Sequence, residues 1–441
     1  MAYLVFEDGK VFPGTGFGAD GVASGRLVFN TCMTGYQEII TDPANYGNIV
    51  TMTYTEIGNV GVNEEDAESG KPQVSGFVVR HLSPIRSNYR TEQSLEDYFK
   101  ANGVVAIKDV DTRAVAKYLR DNGPMSAVIA CGERLSVSDL VELARKAAAE
   151  AVGMGEHKCS DPNCTADHCG GEGCKCAENG TPGACHDHDC DCDHDDDSDD
   201  GCDCGCCCHG DMNLANFPCL VEKVTCQEAY QWTQPHGWID QREVAARKKV
   251  VVVDLGVRRN QLRYLVSFGC DVTVVPATAT SEDVLAMNPD GVFISNGPGA
   301  PWAGGIIESL VDGLVGQVPV FAVGLGAQMV GMSLGMNPCI LDHGQHGANI
   351  PVQNVADKTV AIVAANIDYA LDGEDFTEVQ EENELLKDIV ITHVNLNYPE
   401  IIEGFTHKTK PVLGVLWNPG VPTRAQDGRC LYDDFMDMMN K

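Results

Sequence analysis

Four near-continuous apolar runs in the carboxyl half constrain this chain most. KVVVVDLG (249–256), CDVTVVP (270–276), DGVFISNGPG (290–299) and VPVFAVGLG (318–326) follow one another with helix-like sequence between them. Strands that lack polar alternation need cover on both faces, which a parallel sheet flanked by helices supplies. Each run closes on Gly or Pro, so the turns gather at the carboxyl edge of the sheet, where open α/β sheets bind ligands. The last run is the sharpest. VFAVGLGAQMVG (320–331) drives a strand through Gly324, Leu325 and Gly326 straight into a helix, the turn on which many α/β enzymes expose a nucleophile. No Cys, Ser or Thr stands in it.

The amino-terminal part reads differently. YLVFEDG, RLVFNT, NIVTMTY and GFVVR are short β-type runs separated by Gly, Pro and Asp. EQSLEDYFKANG and DTRAVAKYLRDNG read as helices that end at Gly, and a third helix runs from Ser136 to Val152 with Leu140, Leu143, Ala144, Ala147 and Ala148 on one face. Periodicity then stops. Residues 155–211 hold few large apolar side chains and cannot bury a core of their own. The expected division is a β-rich α/β domain over 1–153, a Cys/His/Asp-rich insertion over 154–212, a connecting segment over 213–248 and an α/β domain over 249–441.

Of 441 residues, 64 are acidic and 31 basic, a formal charge of −33 that argues against nucleic acid or an anionic membrane as partner. No run reaches membrane-spanning length and MAYLVFEDGK has no signal-peptide pattern, so a cytoplasmic protein is expected. Thirteen of the 20 cysteines lie between Cys159 and Cys208. In a reducing compartment such a cluster points to metal binding rather than a disulfide framework.

SNGPGAP (295–301), the turn at 320–328 and THVNL (392–396) resemble a class I glutamine amidotransferase domain. VFNTCMTGYQEIITDPANYGNIVTMTY (28–54), IGNVGVN (57–63) and DTRAVAKYLRDNG (111–123) narrow the match: with them the chain resembles the carbamoyl-phosphate synthetase small subunit. NLANFPCLVEKVTCQEAYQWTQ (213–234) resumes the pattern after the insertion, which the family lacks. The resemblance implies an open, mostly parallel α/β sheet in the second domain, glutamine hydrolysis, and delivery of ammonia to an ATP-dependent large subunit.

That chemistry requires a thiolate, a His base and a carboxylate that orients the base. By resemblance, the nucleophile position is Gly324, and the His and Glu positions are Asn418 and Gly420 in VLWNPGVP. None of the three can perform its role, so no catalytic residue is expected to be intact. Cys270, Cys339, His343, His346 and His393 are the nearest substitutes by residue type, and each reads as structural. Gly tolerates the left-handed backbone of such a turn, so the scaffold is expected to survive. The Leu325 and Gly326 N–H groups are then available for an anion nest at the helix start. The glutamine-contact positions implied by the family are Gly297, Gly299, Leu325, Gln328 and Asn366, together with three substituted ones: Ala44 for Ser, Asp368 for Gly and Tyr369 for Phe.

In the insertion, Cys159, Cys164, Cys169, Cys174, Cys176, Cys185, Cys190, Cys192, Cys202, Cys204, Cys206, Cys207 and Cys208, with His168, His186, His188 and His209, are candidate ligands for Zn²⁺ or Cu⁺. The family domain itself implies no cofactor. Three functions are consistent with these residues: a non-hydrolysing partner of a large subunit, a metal-binding protein on a retired amidotransferase scaffold, or a glutamine-dependent subunit with unusual catalytic residues.

Overall fold

The computed structural model describes residues 2–132, 135–151, 219–303, 305–374, 376–419 and 429–441. Residues 1–148 and 219–441 form one compact unit. Within it three cores lie in the amino-terminal domain and a larger one in the carboxyl-terminal domain.

Nine strands build the first domain: β1 (Ala2–Phe6), β2 (Val11–Gly18), β3 (Gly21–Asn30), β4 (Ile49–Met52), β5 (Glu56–Ile57), β6 (Gly76–Val78), β7 (His81–Leu82), β8 (Val105–Lys108) and β9 (Met125–Cys131). Seven of them close into a barrel in the order β1-β2-β8-β6-β4-β3-β9, while β5 and β7 pair separately. Closure removes the exposed edges that short strands would otherwise present. Leu4, Leu27, Ile49, Ile107 and Ile129 fill one core, Phe77 and Phe99 meet edge to face at 5.5 Å in a second, and Val5 and Val128 pack against Leu140 and Ala144 in a third. The expected helices are present over Leu95–Asn102, Thr112–Asn122 and Val137–Ala151. Ser94 and Asp111 cap the first two by accepting from Asp97 and Ala114 N–H, and each helix ends at a Gly with positive φ.

The second domain carries a ten-stranded sheet made of β10 (Tyr230–Trp232), β11 (Lys248–Asp254), β12 (Cys270–Pro276), β13 (Gly291–Ile294), β14 (Val320–Val323), β15 (Pro338–Asn354), β16 (Val360–Asp372), β17 (Ile389–Asn395), β18 (Ile401–His407) and β19 (Val412–Val415). The four apolar runs are β11 to β14. With β19 they form the parallel centre, in the order β12-β11-β13-β14-β19. Most of their side chains are buried on both faces, with Phe293 and Phe321 packed edge to face and Tyr432 and Phe435 of the last helix against Phe321. Antiparallel strands extend the sheet on both sides. β10, from the expected connecting segment, pairs with β12, and β15 to β18 continue beyond β19.

The two domains meet through polar contacts. Thr31 N–H donates to the His346 carbonyl at 3.1 Å, and its hydroxyl to Asn349 Oδ1 at 2.7 Å. Arg258 Nη2 lies 2.6 Å from Glu68 Oε1, and Asn260 donates to both oxygens of the same carboxylate. Among the described residues no helix is long and apolar enough to cross a membrane.

Candidate functional site

β14 turns into the helix Leu325–Ser333 at Gly324, whose φ is 55° and ψ −119°. A non-Gly residue there costs about 1–3 kcal/mol. The turn is anchored on both sides: Gly324 N–H donates to the Val415 carbonyl at 2.9 Å, and Gln328 N–H to the Gly324 carbonyl at 3.0 Å. The strained turn is thus preserved without a side chain on it.

The Asn296 carboxamide occupies the space in front of Gly324. A Cβ added to Gly324 would fall onto Oδ1 and Cγ of Asn296. Asn296 Oδ1 accepts from Leu325 N–H at 2.8 Å. This corrects the expected anion nest: the Leu325 donor is engaged by a neighbouring side chain, because the Asn296 carboxamide fits where Gly324 has no Cβ.

All eight glutamine-contact positions inferred from the sequence come together. Ala44, Gly297, Gly299, Leu325, Gln328, Asn366, Asp368 and Tyr369 line one hollow of about 20 Å³. That is room for about one water molecule. The Gln328, Asn366 and Asp368 side chains are engaged. Gln328 Nε2 donates to the Tyr369 carbonyl at 2.6 Å. Asn366 Oδ1 faces His346 Nδ1 at 2.7 Å, and Asn366 Nδ2 donates to Asp42 at 3.1 Å. Asp368 Oδ1 lies 3.1 Å from both Arg26 Nη2 and His346 Nε2. Burial works against ionisation of Asp368, but the Arg26 and His346 contacts outweigh it and hold the carboxyl well below its usual range.

A second, far larger hollow of about 660 Å³ lies between the domains and shares Asn296 and Asn366 with the first. Asn418, at the family base position, is on its wall, buried, with its N–H donating to the Ala364 carbonyl at 2.8 Å. Four carboxylates (Glu38, Asp42, Asp66 and Glu68) face it, with Arg90 and Arg258. Burial disfavours charge on Arg258, yet Glu68 and Asp42 more than offset it and raise its pKa.

The alternative nucleophiles and bases lie elsewhere. Cys270 is fully buried against Met436, and burial pushes its thiol up to about 12. Cys339, on β15, is pushed up to about 11 by burial and Asp372. Neither Cys270 nor Cys339 is a thiolate near neutral pH. His393 packs edge-on against Trp417 at 4.9 Å, and burial lowers its pKa to about 4. None of the three lines either hollow. His346 is the exception in kind, since its ring bridges Asn366 and Asp368.

Gly420 and the seventeen candidate metal ligands of the insertion lie outside the described residues. Among the described residues no group of three or more His, Cys, Asp or Glu is placed to hold a metal ion. Sequence reasoning missed Arg26, Asn296 and Arg258. Asn296 stands in the quoted SNGPGAP motif, and only its distance from Gly324 exposes its role. Arg26 lies in a different domain from Asp368 and carries no local signal.

Comparison with known proteins gives a consistent picture. The family described as carbamoyl-phosphate synthase small chain, CPSase domain, matches residues 4–129, and that described as glutamine amidotransferase class-I matches residues 251–438. The carbamoyl phosphate synthase small chain of Syntrophotalea carbinolica is 38% identical over 445 aligned positions, covering 100% of this chain and 98% of its own length. That of Akkermansia muciniphila is 36% identical, covering 99% and 97%, and that of Thermosynechococcus vestitus 35%, covering 99% and 96%.

Proposed function

The chain belongs to the family of carbamoyl-phosphate synthase small chains, and on that premise we propose that it does not hydrolyse glutamine and serves as the non-catalytic partner of an ATP-dependent large subunit that takes free ammonia. The observation that carries this reading is the state of the elbow. Gly324 has no nucleophile to offer, and Asn296 fills the space in front of it.

The chemistry follows from what each group can do. Attack on a carboxamide needs a thiolate within reach and a base to accept its proton. Asn418 accepts no proton near neutral pH. Leu325 N–H, a donor that would stabilise a tetrahedral oxyanion, is spent on Asn296. A glutamine molecule is also far larger than the hollow of about 20 Å³ that its family-equivalent positions enclose. Loss of the nucleophile, the base and the room for substrate all favour the same reading. The polar contacts that join the domains are intact, which favours a retained scaffold over a decaying one.

Affinity purification of the full-length chain from its host, followed by an ammonia-release assay with glutamine, tests the proposal. Co-purification of an ATP-binding large subunit without ammonia release is expected. Ammonia release, or recovery of the chain without any large subunit, overturns it.

A second reading concerns the insertion. We propose that residues 155–211 bind thiophilic metal, because Cys-x-Cys pairs such as Cys190/Cys192 and Cys202/Cys204 and the run Cys206–Cys208 favour shared thiolate clusters. Its test is a metal count on anaerobically purified chain, with and without residues 155–211. Several Zn²⁺ or Cu⁺ ions, lost on deletion, are expected; an equal count in both overturns it.

A further inference from the structure

We propose that Asp368 decides what the elbow pocket admits: its carboxylate sits on Arg26 where the carboxylate of an amino-acid ligand would otherwise bind. The inference rests on the reading above, in which the pocket has lost its hydrolytic role, and it names the residue that keeps amino acids out.

Asp368 is on β16 of the second domain and Arg26 on β3 of the first. Their side chains meet at 3.1 Å, and Arg26 also reaches the Tyr369 side chain. Asp368 is the shared wall of two small hollows. One is the elbow pocket, and the other, also about 20 Å³, is bounded by Arg26, His343 and His346. A Gly at 368 would remove this wall and join the two spaces. The guanidinium would then face the joined space with no carboxylate opposite it.

A free guanidinium at the end of a polar pocket binds carboxylate strongly, because it offers parallel donors in the geometry that a carboxylate accepts. In this chain those donors already have an intramolecular acceptor at fixed distance, which an external ligand can displace only by exposing Asp368 charge elsewhere. His346 adds a second contact to the same oxygen, so the carboxylate is held from two sides. The pocket is therefore closed to amino acids by charge as well as by volume. Small neutral molecules are not subject to the charge barrier.

The test compares the full-length parent with Asp368→Gly by calorimetric titration with L-glutamine and with its α-amide, which lacks the carboxylate. Circular dichroism melts verify folding. The Asp368→Gly variant is expected to bind glutamine roughly tenfold or more tightly than the parent, the worth of one charge-assisted contact. It is also expected to prefer glutamine over the α-amide, and Arg26→Ala in the same background is expected to abolish that preference. Equal affinity of parent and variant, or a gain that survives Arg26→Ala, overturns the proposal. Should Asp368→Gly fail to fold, Asp368→Ala removes the charge and most of the side-chain volume. It must still shift preference toward glutamine over the α-amide, and no shift overturns the proposal. Ammonia release in the same samples reports on hydrolysis separately, so loss of the proposed function does not decide the role of Asp368.

Discussion

Two hollows share Asn296 and Asn366, and they could hardly differ more. The one between the domains is about 660 Å³ and lined with carboxylates, amides and guanidinium groups. The one at the elbow is about 20 Å³, and the Asn296, Gln328, Asn366 and Asp368 side chains that line it are already hydrogen-bonded or ion-paired. The difference teaches where the family's features persist. On the proposed reading, chemistry at the elbow depends on single side chains, and Gly324 in place of a nucleophile removes it at no cost to the turn. The interdomain hollow depends on many paired groups that also join the domains, so it cannot be emptied without loosening the fold.

Arg258 offers the largest effect with which to break that comparison. It is buried and paired with Glu68, which is fully buried. Arg258→Met strands that carboxylate and is expected to destabilise the chain by about 3–5 kcal/mol, read as a fall in denaturant midpoint. A loss under about 1 kcal/mol would mean that the hollow's wall is dispensable and that the contrast with the elbow is false.

Glu403 supplies the next effect, as a buried carboxyl that, unlike Glu68 and Asp368, has no cation opposite it among the described residues. Burial raises it from 4.5 to about 7, offset in part by the Asn395 hydrogen bond of 2.6 Å. Its folded-state pKa lies above its unfolded one. The stability it contributes is therefore fully present below about pH 4.5 and lost as pH rises through about 7. Glu403→Gln keeps an acceptor for Asn395 and removes the charge. Its stability relative to the parent is expected to grow by about 3 kcal/mol between those limits and pH 8, measured by urea titration across pH. A flat difference would contradict the assignment.

Gly324→Ala sharpens the elbow side. Backbone strain at φ 55° is expected to cost about 1–3 kcal/mol, and the contact with the Asn296 carboxamide adds to it. Asn296→Ala should relieve the contact but not the strain, so the double variant is expected to be more stable than additivity predicts. Asn296→Ala alone has the smallest effect, about 1 kcal/mol for the lost Leu325 hydrogen bond. Strict additivity of the pair would show that Asn296 does not occupy the nucleophile's place.

How much of this was legible in the sequence follows the range of the interactions. The buried parallel centre of the sheet was readable because runs such as VVVV at 250–253 state their burial locally. The capped helices and the elbow at Gly324 were readable for the same reason. Family motifs brought Ala44 into the same pocket as Asn366 and Tyr369, which no local pattern could do. Arg26 was not readable, because its partner is on another domain and nothing in GRLVF marks it. The antiparallel strands from β15 onward were also missed as strands, since HGQHGAN and THVNL carry half-buried polar residues that blur the period.

The most direct test of the central claim is ammonia release from glutamine labelled with ¹⁵N in its carboxamide, by the purified full-length chain with and without large subunit. The account predicts no labelled ammonia above buffer in either case, and carbamoyl phosphate formation from free ammonium when the large subunit is present. Labelled ammonia that rises in proportion to chain concentration would contradict it.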